Sequence, residues 1–245
     1  MDVLIVQAHP EPASFNGALT DVAVEALQGG GHGVTVSDLY RMRFAATLGA
    51  DDFVGEREDA TFLRVDREQT YAHRAGTLAP DVVTEQAKLA RADLLILQFP
   101  MWWFGMPAIL KGWVDRVFTR GFAYLPGHKY DTGLLAGKLA MVSVTTGTSE
   151  DTYQPDGIDG AILDVLWPVH NGVLRYSGFD VCEPAVTYMP RRMGAEERRT
   201  ALQVHRDRLR DIDALPRLHF HRSEDYDVSE RLRPGVIAQS GFQHN

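Results

Sequence analysis

The stretch DLLILQFPMWWFGMP, residues 93–107, carries the clearest signal of the fold. Its first seven residues form a short and mostly apolar run, which is typical of a strand buried on both faces of a parallel sheet. Two tryptophans and a phenylalanine follow at positions 102–104, next to Gly105 and between two prolines. A loop that leaves a strand normally lies at the surface. Three adjacent rings therefore indicate a flat binding surface, with packing in the core as the alternative.

Apolar runs and helical patterns alternate along the rest of the chain. Further strands are predicted at residues 3–6, 34–36, 139–145 and 181–188, and helices at residues 19–27, 80–90, 107–118, 160–176 and 195–211. Pro168 should interrupt one of these helices, because proline has no backbone N–H to donate. Residues 49–80 predict a polar excursion with short helical pieces. The alternation predicts a single α/β domain with a doubly wound, parallel, five-stranded sheet and helices on both faces.

The composition excludes several classes of function. The formal charge is -8 and no run of Lys or Arg occurs, which disfavours binding to nucleic acid or to an anionic membrane. Cys182 is the only cysteine, which excludes an intrachain disulfide and a cysteine-rich zinc site, and we predict no metal site. No apolar stretch approaches the ~20 residues of a membrane span, and the N-terminus lacks the features of a signal peptide. We therefore expect a cytoplasmic protein that does not insert into a membrane.

The loops after the strands are the candidate site, because ligands of doubly wound sheets bind beyond the carboxyl ends of the strands. The first such loop, QAHPEPASFN at residues 7–16, is not the G-x-G-x-x-G fingerprint of dinucleotide binding. Ser14 and Asn16 are good capping residues, and the free N–H groups at the start of the next helix can hold a phosphate. The alternative is that both residues only cap the helix while His9 packs under the loop.

The loop after the strand at 139–145 is small and rich in hydroxyl groups. Its glycine, Gly147, lets the backbone approach a ligand closely, although TTGTS is also a common type of turn. Together, the three loops offer a phosphate seat, aromatic rings and close backbone donors at one edge of the sheet. A flat, phosphorylated cofactor fits this combination, and flavin is the obvious candidate.

Six motifs occur in order between residue 2 and roughly residue 211. They are AHPEPASFN, SDLY, FPMWWFGMPAILKGWVDRVF, FAY, VTTGTSEDTY and LWPVHNGVLRYSGF. In these motifs the chain resembles the NAD(P)H:quinone oxidoreductases of the flavodoxin-like fold. The resemblance implies a flavodoxin-like domain at residues 1–214, in which NADH or NADPH reduces a flavin that then reduces a quinone. Residues 215–245 have no match and are interpreted as a C-terminal extension.

The resemblance also implies a set of flavin contacts. The residues that match the phosphate side of the flavin are His9, Ser14, Phe15, Asn16 and Ala18. Those that match the segment along the isoalloxazine ring are Pro100, Met101, Trp103 and Phe104. Those that match the backbone at its pyrimidine edge are Thr145, Thr146, Gly147 and Thr148. Arg198 matches a residue near the adenosine half of FAD, with a solvated helix charge as the alternative. FAD is the expected cofactor and FMN the fallback. Trp102 should point away from the flavin, into the core or a dimer contact, if the alternation of the strand persists.

Members of this family are homodimers whose active sites are built from both subunits. Tyr124, in the FAY motif, matches a residue that reaches the neighbouring flavin pocket. Together with Trp103 and Phe104, it is assigned to substrate binding by the resemblance. Trp113, Val117 and Phe118 are then expected to lie in the dimer interface as much as in the core.

The resemblance assigns the catalytic role to Tyr153, which matches a tyrosine that donates a hydrogen bond to the reduced flavin. The family usually has a histidine six residues later, but this chain has Asp159 there, within GIDG. We expect Asp159 either to turn to solvent or to hold a proton. Because of this departure the acceptor stays open between a quinone and a nitroaromatic or azo compound. A non-enzymatic alternative is a regulatory flavoprotein, ancillary to an ion-efflux system.

Overall fold

The computed structural model describes residues 1–238, so the last seven residues of the expected C-terminal extension lie outside the described part. The strands are β1 (Asp2–Gln7), β2 (Gly33–Asp38), β3 (Leu94–Pro100), β4 (Leu139–Thr146), β5 (Asp180–Val181) and β6 (Ala185–Tyr188). The helices are α1 (Phe15–Gly29), α2 (Val65–Ala75), α3 (Pro80–Arg91), α4 (Ala108–Val117), α5 (Ile162–Val165), α6 (Trp167–Val169) and α7 (Ala195–Arg210).

The strands form a parallel sheet in the order β2-β1-β3-β4-β5. The order reverses between β1 and β3, because the chain moves outward from β1 to β2 and then returns to place β3 on the other side of β1. This is the flavodoxin-like order, and ligands bind at such a switch point. The predicted doubly wound sheet of five ordered strands is confirmed.

The fifth strand differs from the prediction of one continuous run at 181–188. It is split into β5 and β6, which both pair with β4. The partner of Ala140 is Val181, whereas the partner of Ser143 is Ala185, so the outer strand contains one extra residue between them. Pro184 lies at this bulge, where the N–H that proline lacks is not needed for the ladder.

The core consists of two apolar layers, one on each face of the sheet. In β1, Leu4 and Val6 face the layer formed with α3 and α4, while Val3 and Ile5 face the layer formed with α1 and α7. Strands β3 and β4 divide their side chains in the same way. This alternation explains why the strands read as continuous apolar runs, since both faces of a parallel sheet are covered.

The polar excursion at 49–80 is more regular than predicted. It contains a short 3₁₀ turn at Ala50–Asp52 and the eleven-residue helix α2, which is capped after its last residue by Gly76 with a φ of 69°. Arg116 of α4 anchors the excursion, because its buried guanidinium donates to Asp52 at 2.6 Å and to Asp81 at 2.5 and 3.0 Å. The hydrogen bond from Arg116 holds the pKa of the Asp81 carboxyl below its usual value.

Two residues of α4 and the residue that follows the helix were expected to be shared between core and interface, and all three belong to the core. Trp113, Val117 and Phe118 are all buried within the chain. The indole Nε1 of Trp113 donates to Glu85 of α3 at 2.9 Å, and the Trp113 ring contacts Phe118 edge-to-face. A buried Trp N–H needs such a partner, so this packing requires no second subunit.

The end of the described chain runs along β5. Leu218 donates its backbone N–H to Val181 at 2.8 Å, and Glu183 donates to Pro216 at 2.8 Å. The side chains of Leu218 and Phe220 pack against the core. Among residues 1–238, no helix is both long and apolar enough to cross a bilayer.

Pro168 interrupts the helical region at 160–176 as predicted, leaving α5, α6 and a π-helical segment, His170–Arg175. His170 is buried, and its Nε2 has no hydrogen-bond partner among the described residues. Burial lowers the pKa of this histidine from 6.5 to about 4. The folded protein therefore keeps His170 neutral at pH values where the unfolded chain is protonated.

We predict that acid weakens the fold as the pH falls through 6.5 toward 4. The unfolded chain takes up a proton on His170 there and the folded chain does not, which costs about 2 kcal/mol between pH 7 and pH 5. Urea unfolding at both pH values should show that His170→Gln removes this part of the acid sensitivity. His128→Gln, at an exposed ring, is the control and should leave the difference unchanged. An equal pH slope in the wild type and His170→Gln would contradict the prediction.

Candidate active site

A buried amide holds together the three loops at the switch point. Asn16 of α1 donates from Nδ2 to the Thr145 hydroxyl at 2.9 Å, and it accepts at Oδ1 from Gln98 Nε2 at 2.8 Å. Thr145 is in β4 and Gln98 is in β3, so one side chain links the start of α1 to two strand ends. Each of these groups is buried, and buried polar groups of this kind are stable only when they are hydrogen-bonded.

The loop after β1 forms a compact turn against α1. Ser14 caps the helix, since its Oγ accepts from the backbone N–H of Gly17 at 3.2 Å. Asn16 was also predicted as a cap, but it lies inside the helix. A Cβ on Gly17 would lie 2.0 Å from the carbonyl oxygen of Pro12, so only glycine permits this close approach. His9 is half-buried in the turn and accepts from the backbone of Glu11 at 3.0 Å.

The rings after β3 lie on a strained two-residue turn. Trp102 and Gly105 exchange two backbone hydrogen bonds of 3.1 Å, and the residues between them, Trp103 and Phe104, have φ values of 50° and 58°. Such a turn normally uses Asn-Gly, because other side chains are disfavoured at positive φ. The Trp103 side chain is 98% exposed and Phe104 is exposed beside it. The turn thus presents two rings to solvent at a conformational cost.

Trp102 does not lie in the core as one alternative predicted. The strand alternation ends at Met101, and the Trp102 side chain is 41% exposed, with its ring centroid 6.2 Å from that of His9. The turn explains the difference. It changes the direction of the chain at Trp102, so the alternation of side chains along β3 does not continue to this residue.

The loop after β4 is held by its own hydroxyl groups. Met101 donates its backbone N–H to the Thr145 carbonyl at 2.8 Å, which continues the β3–β4 ladder into the site. Thr146 is buried and donates from its hydroxyl to the carbonyl of Thr148 at 2.8 Å. Gly147 and the Thr148 side chain are exposed. The exposed backbone between them is free to approach a ligand.

Tyr153 and Asp159 lie together beside this loop. Burial raises the pKa of the Tyr153 phenol, and a hydrogen bond with the Thr148 side chain opposes part of that rise. The Thr148 hydroxyl also donates to Asp159 Oδ2 at 2.9 Å. Asp159 is half-buried, and its carboxyl group is engaged by a side chain of the candidate flavin loop, so it does not turn wholly to solvent. The expectation that it holds a proton stays a prediction.

Two predicted site residues lie apart from this group. Tyr124 is half-buried with its ring centroid 5.7 Å from that of Tyr176, and burial raises its pKa. None of its recorded contacts in the described part of the chain joins it to the three loops. Arg198 lies on the exposed first turn of α7, where its Nε donates to the carbonyl of Met193 at 3.2 Å.

The remaining predicted residues lie at the ends of the elements that carry them. Phe15 and Ala18 are half-buried in the first turns of α1, and Pro100 is the last residue of β3. Three polar or aromatic neighbours were not predicted. Gln7 and Gln98 pair across β1 and β3, and Tyr188 lies 6.0 Å from Tyr153 between ring centroids. A glutamine within an otherwise apolar strand was the available signal for Gln98.

The site offers groups suited to a flat, phosphorylated ligand. An almost fully exposed indole on a strained turn gains apolar contact when a flat ring covers it. The first N–H groups of α1 have no intrahelical acceptors, and they can bind an anion. No group of three or more His, Cys, Asp or Glu residues able to hold a metal ion occurs within residues 1–238. These observations fit a flavin, with its phosphate at α1.

Comparison with known proteins agrees with the fold. A family model described as having a flavodoxin-like fold matches residues 1–212. NAD(P)H dehydrogenase [quinone] 1 of Cavia porcellus is 44% identical over 92% of this chain and 82% of that protein. Human ribosyldihydronicotinamide dehydrogenase [quinone] is 44% identical over 86% of this chain and 91% of that protein. The solved structure of a provisionally assigned quinone reductase from Klebsiella pneumoniae is 42% identical, with a TM-score of 0.93, over 98% of this chain and 97% of that one.

We predict that relaxing the turn stabilises the protein and weakens the site. The double variant Trp103→Asn, Phe104→Gly supplies the favoured turn sequence, so its free energy of unfolding without ligand should rise by about 1–2 kcal/mol. Its affinity for flavin or acceptor should fall, because the rings are gone. Denaturant unfolding and titration with FAD and FMN measure the two effects.

The matched control is Arg43→Gly, at an exposed position with a φ of 53° outside the three loops. It should give a similar gain in stability with no change in flavin affinity. A double variant that binds flavin as well as the wild type would show that the two rings do not form the binding surface.

Proposed function

This chain belongs to the flavodoxin-like family of NAD(P)H:quinone oxidoreductases, and from that membership we propose how its site works: NADH or NADPH and then a quinone bind in succession against a flavin held by the three loops. The enzyme is an NAD(P)H dehydrogenase of the quinone type. The observation that best supports the site is the strained turn at Trp103 and Phe104, because a protein keeps such strain where a function requires it. Both substrates would use the same stacking surface, which makes the cycle ping-pong.

The proposed cofactor is FAD. His9, Ser14, Phe15, Asn16 and Ala18 would hold its phosphate side, mainly through the N–H groups that begin α1. Trp103 and Phe104 would lie along the ring with Pro100 and Met101 at the end of β3, and residues 145–148 would bond the ring edge. Arg198 supports FAD over FMN, since its exposed guanidinium contacts only a backbone carbonyl within residues 1–238 and is available to an adenosine group.

The protein groups needed for the chemistry are few, since a bound flavin itself supplies the hydride transfer. The buried Tyr153 phenol would donate a hydrogen bond to a ring edge that gains negative charge, and a donor aimed at developing charge is the most effective kind of electrostatic help. The raised pKa keeps this phenol protonated over the whole physiological range. The exposed rings would cover the substrate and exclude water from it.

We further propose that residues 1–214 form the flavin-binding domain, that residues 215–245 are an extension, and that the protein is cytoplasmic. A reducing compartment suits its single, buried thiol.

The acceptor test compares three classes of compound. NADH and NADPH oxidation by the flavin-loaded protein should be stimulated by menadione more than by a nitroaromatic or an azo dye, with the parallel initial-rate lines of a ping-pong cycle. Mass spectrometry of the released cofactor should identify FAD. A protein that carries flavin but oxidises neither nucleotide with any acceptor would favour the regulatory alternative. A chain that binds no flavin would contradict the proposal as a whole.

We also propose a homodimer in which Tyr124 serves the site of the partner subunit. The separation of Tyr124 from the loops of its own chain supports this arrangement. Within the chain, Tyr124 lies beside a groove that it shares with residues of α4 and the excursion, among them Val114 and Val65. A half-exposed aromatic ring beside a groove with both apolar and polar lining is suited to contact with a second subunit.

A complementation experiment tests the shared site. Tyr124→Ala and Tyr153→Phe should each be impaired as homodimers. Unfolding and refolding an equal mixture should restore activity in roughly a quarter of the sites, because half of the dimers are mixed and one site in each is intact. If Tyr124 acts in its own subunit, mixing restores nothing, and an active monomer at low concentration would also contradict the proposal.

A further inference from the structure

A groove at the outer edge of the sheet lies apart from the three loops of the candidate flavin site. Residues of α5, β6 and α7 form it, and none of residues 7–16, 101–105 and 146–149 lines it. Within the described chain β6 pairs with β4 alone, so its other edge is open beside this groove. The groove has a volume of about 670 Å³, which lies within the roughly 300–1,000 Å³ of sites for small organic ligands.

The walls of the groove are largely apolar. Leu163 of α5 is 42% exposed and Val204 of α7 is 64% exposed. The other apolar side chains that line the groove are Ile162, Val186, Met193 and Ala201. Exposed apolar residues that are scattered singly need no explanation, but a patch shared by two helices and a strand indicates a binding surface. A ligand with a hydrocarbon part would gain free energy by covering this patch.

Two polar side chains of α7 line the same groove and have unpaired nitrogens. His205 is only 5% exposed, and its Nε2 is buried with no hydrogen-bond partner within residues 1–238. The Nε of Arg208, three residues later, is also buried without a partner in that part of the chain. Because buried polar groups are normally hydrogen-bonded, two such exceptions side by side indicate that a partner comes from outside the chain.

The Arg208 guanidinium also has no counter-ion within residues 1–238. Its Nη2 donates to the backbone carbonyl of Glu183 at 2.7 Å, and no carboxylate of that part of the chain pairs with it. The pKa of His205 falls from 6.5 to about 4 because of burial and, to a smaller extent, the Arg208 charge. At neutral pH the groove therefore offers one uncompensated positive charge beside a neutral imidazole that has one N–H to donate.

A carboxylate suits these groups better than other polar ends do. Its two oxygens can accept from a guanidinium and from an imidazole N–H at the same time. An ammonium group would be repelled by Arg208, and a hydroxyl brings no charge to balance it. The carboxylates of Glu150 and Glu183 also line the groove, but both residues are exposed, so solvent screens their repulsion of an anion.

We propose that the groove between α5, β6 and α7 is a second ligand site, which binds apolar monocarboxylates. The carboxylate bonds to His205 Nε2 and Arg208 Nε, and the hydrocarbon part covers the apolar walls. Arg208 is half-buried, and rotation about its side-chain bonds presents Nε to the ligand. The site goes beyond the proposed function, because no step of the flavin cycle uses it.

The first test is calorimetric titration of the full-length protein with octanoate, octan-1-ol and octylammonium. Octanoate should bind at least about tenfold more tightly than octan-1-ol, the effect of one hydrogen bond to a charged group. Octylammonium should bind more weakly than either. Hexanoate should bind about tenfold more weakly than octanoate, because two buried CH₂ groups are lost.

The second test changes the groove at an exposed position, where folding is not at risk. Val204→Asp adds a carboxylate to the wall and should weaken octanoate binding at least about tenfold through like-charge repulsion and lost apolar contact. Gln203→Glu is the matched control, because it adds the same charge to α7 at an exposed residue outside the groove. It should change the affinity less than about twofold. Arg208→Lys keeps the charge but lacks Nε, so it should weaken octanoate and leave octan-1-ol unchanged.

The third test observes the imidazole directly. The ring ¹⁵N resonances of His205, identified by their loss in His205→Phe, should shift when octanoate is added at neutral pH, because the carboxylate determines which ring nitrogen carries the hydrogen. The same addition should leave these resonances in place in Val204→Asp. Octanoate should bind equally well before and after the protein is loaded with FAD.

Four results would overturn the second site. They are octanoate binding that survives Val204→Asp, octan-1-ol or octylammonium that binds as tightly as octanoate, a His205 resonance that does not respond, and octanoate that is displaced by FAD. The last result would assign octanoate to the flavin loops. A protein that binds no flavin would contradict the proposed function, but the titrations and the His205 resonances would still decide on the groove.

Discussion

The site depends on the buried amide of Asn16, because no other single side chain among residues 1–238 ties α1 to both strand ends. Its two hydrogen bonds connect Gln98 of β3 and Thr145 of β4 to the first turn of the helix. Without the amide, two buried polar groups would lose their partners, at about 1–3 kcal/mol each. This interaction sets the positions of the helix start, the β3 turn and the β4 loop. The geometry of the sheet brings the loops near one another, and the amide fixes their spacing.

The rest of the site combines rigidity with local strain. Thr145 and Thr146 are buried, and Gly17 lets the first loop pack closely on α1. The turn at Trp103 and Phe104 is the opposite case, since it stores conformational energy in exposed residues. The neighbouring residues are well packed, and the turn could relax only by disrupting the hydrogen-bond ladder from Met101 to Thr145. The folded structure therefore tolerates the strain.

Much of the fold was predictable, because both faces of the sheet are covered and the strands appear in the sequence as apolar runs. The loops at the carboxyl ends of the strands were predictable for the same reason, because the alternation of strands and helices shows where each strand ends. The split between β5 and β6 was not, since an apolar run does not reveal which residue lacks a partner. The core alternative for Trp102 was wrong because the turn ends the alternation of side chains before this residue, and the alternative of a dimer contact stays a prediction. The bond between Thr148 and Asp159 joins residues eleven positions apart, and only the close packing of two turns brings them together.

The backbone pairing of residues 216–218 with the edge of β5 has a consequence for self-association. A bare sheet edge can pair with another chain, and natural proteins cover such edges. Here the covering segment exchanges backbone hydrogen bonds of 2.8 Å with Val181 and Glu183. Loss of this pairing would expose the backbone groups of a strand only two residues long, and a second copy of the chain could then add a strand at that edge.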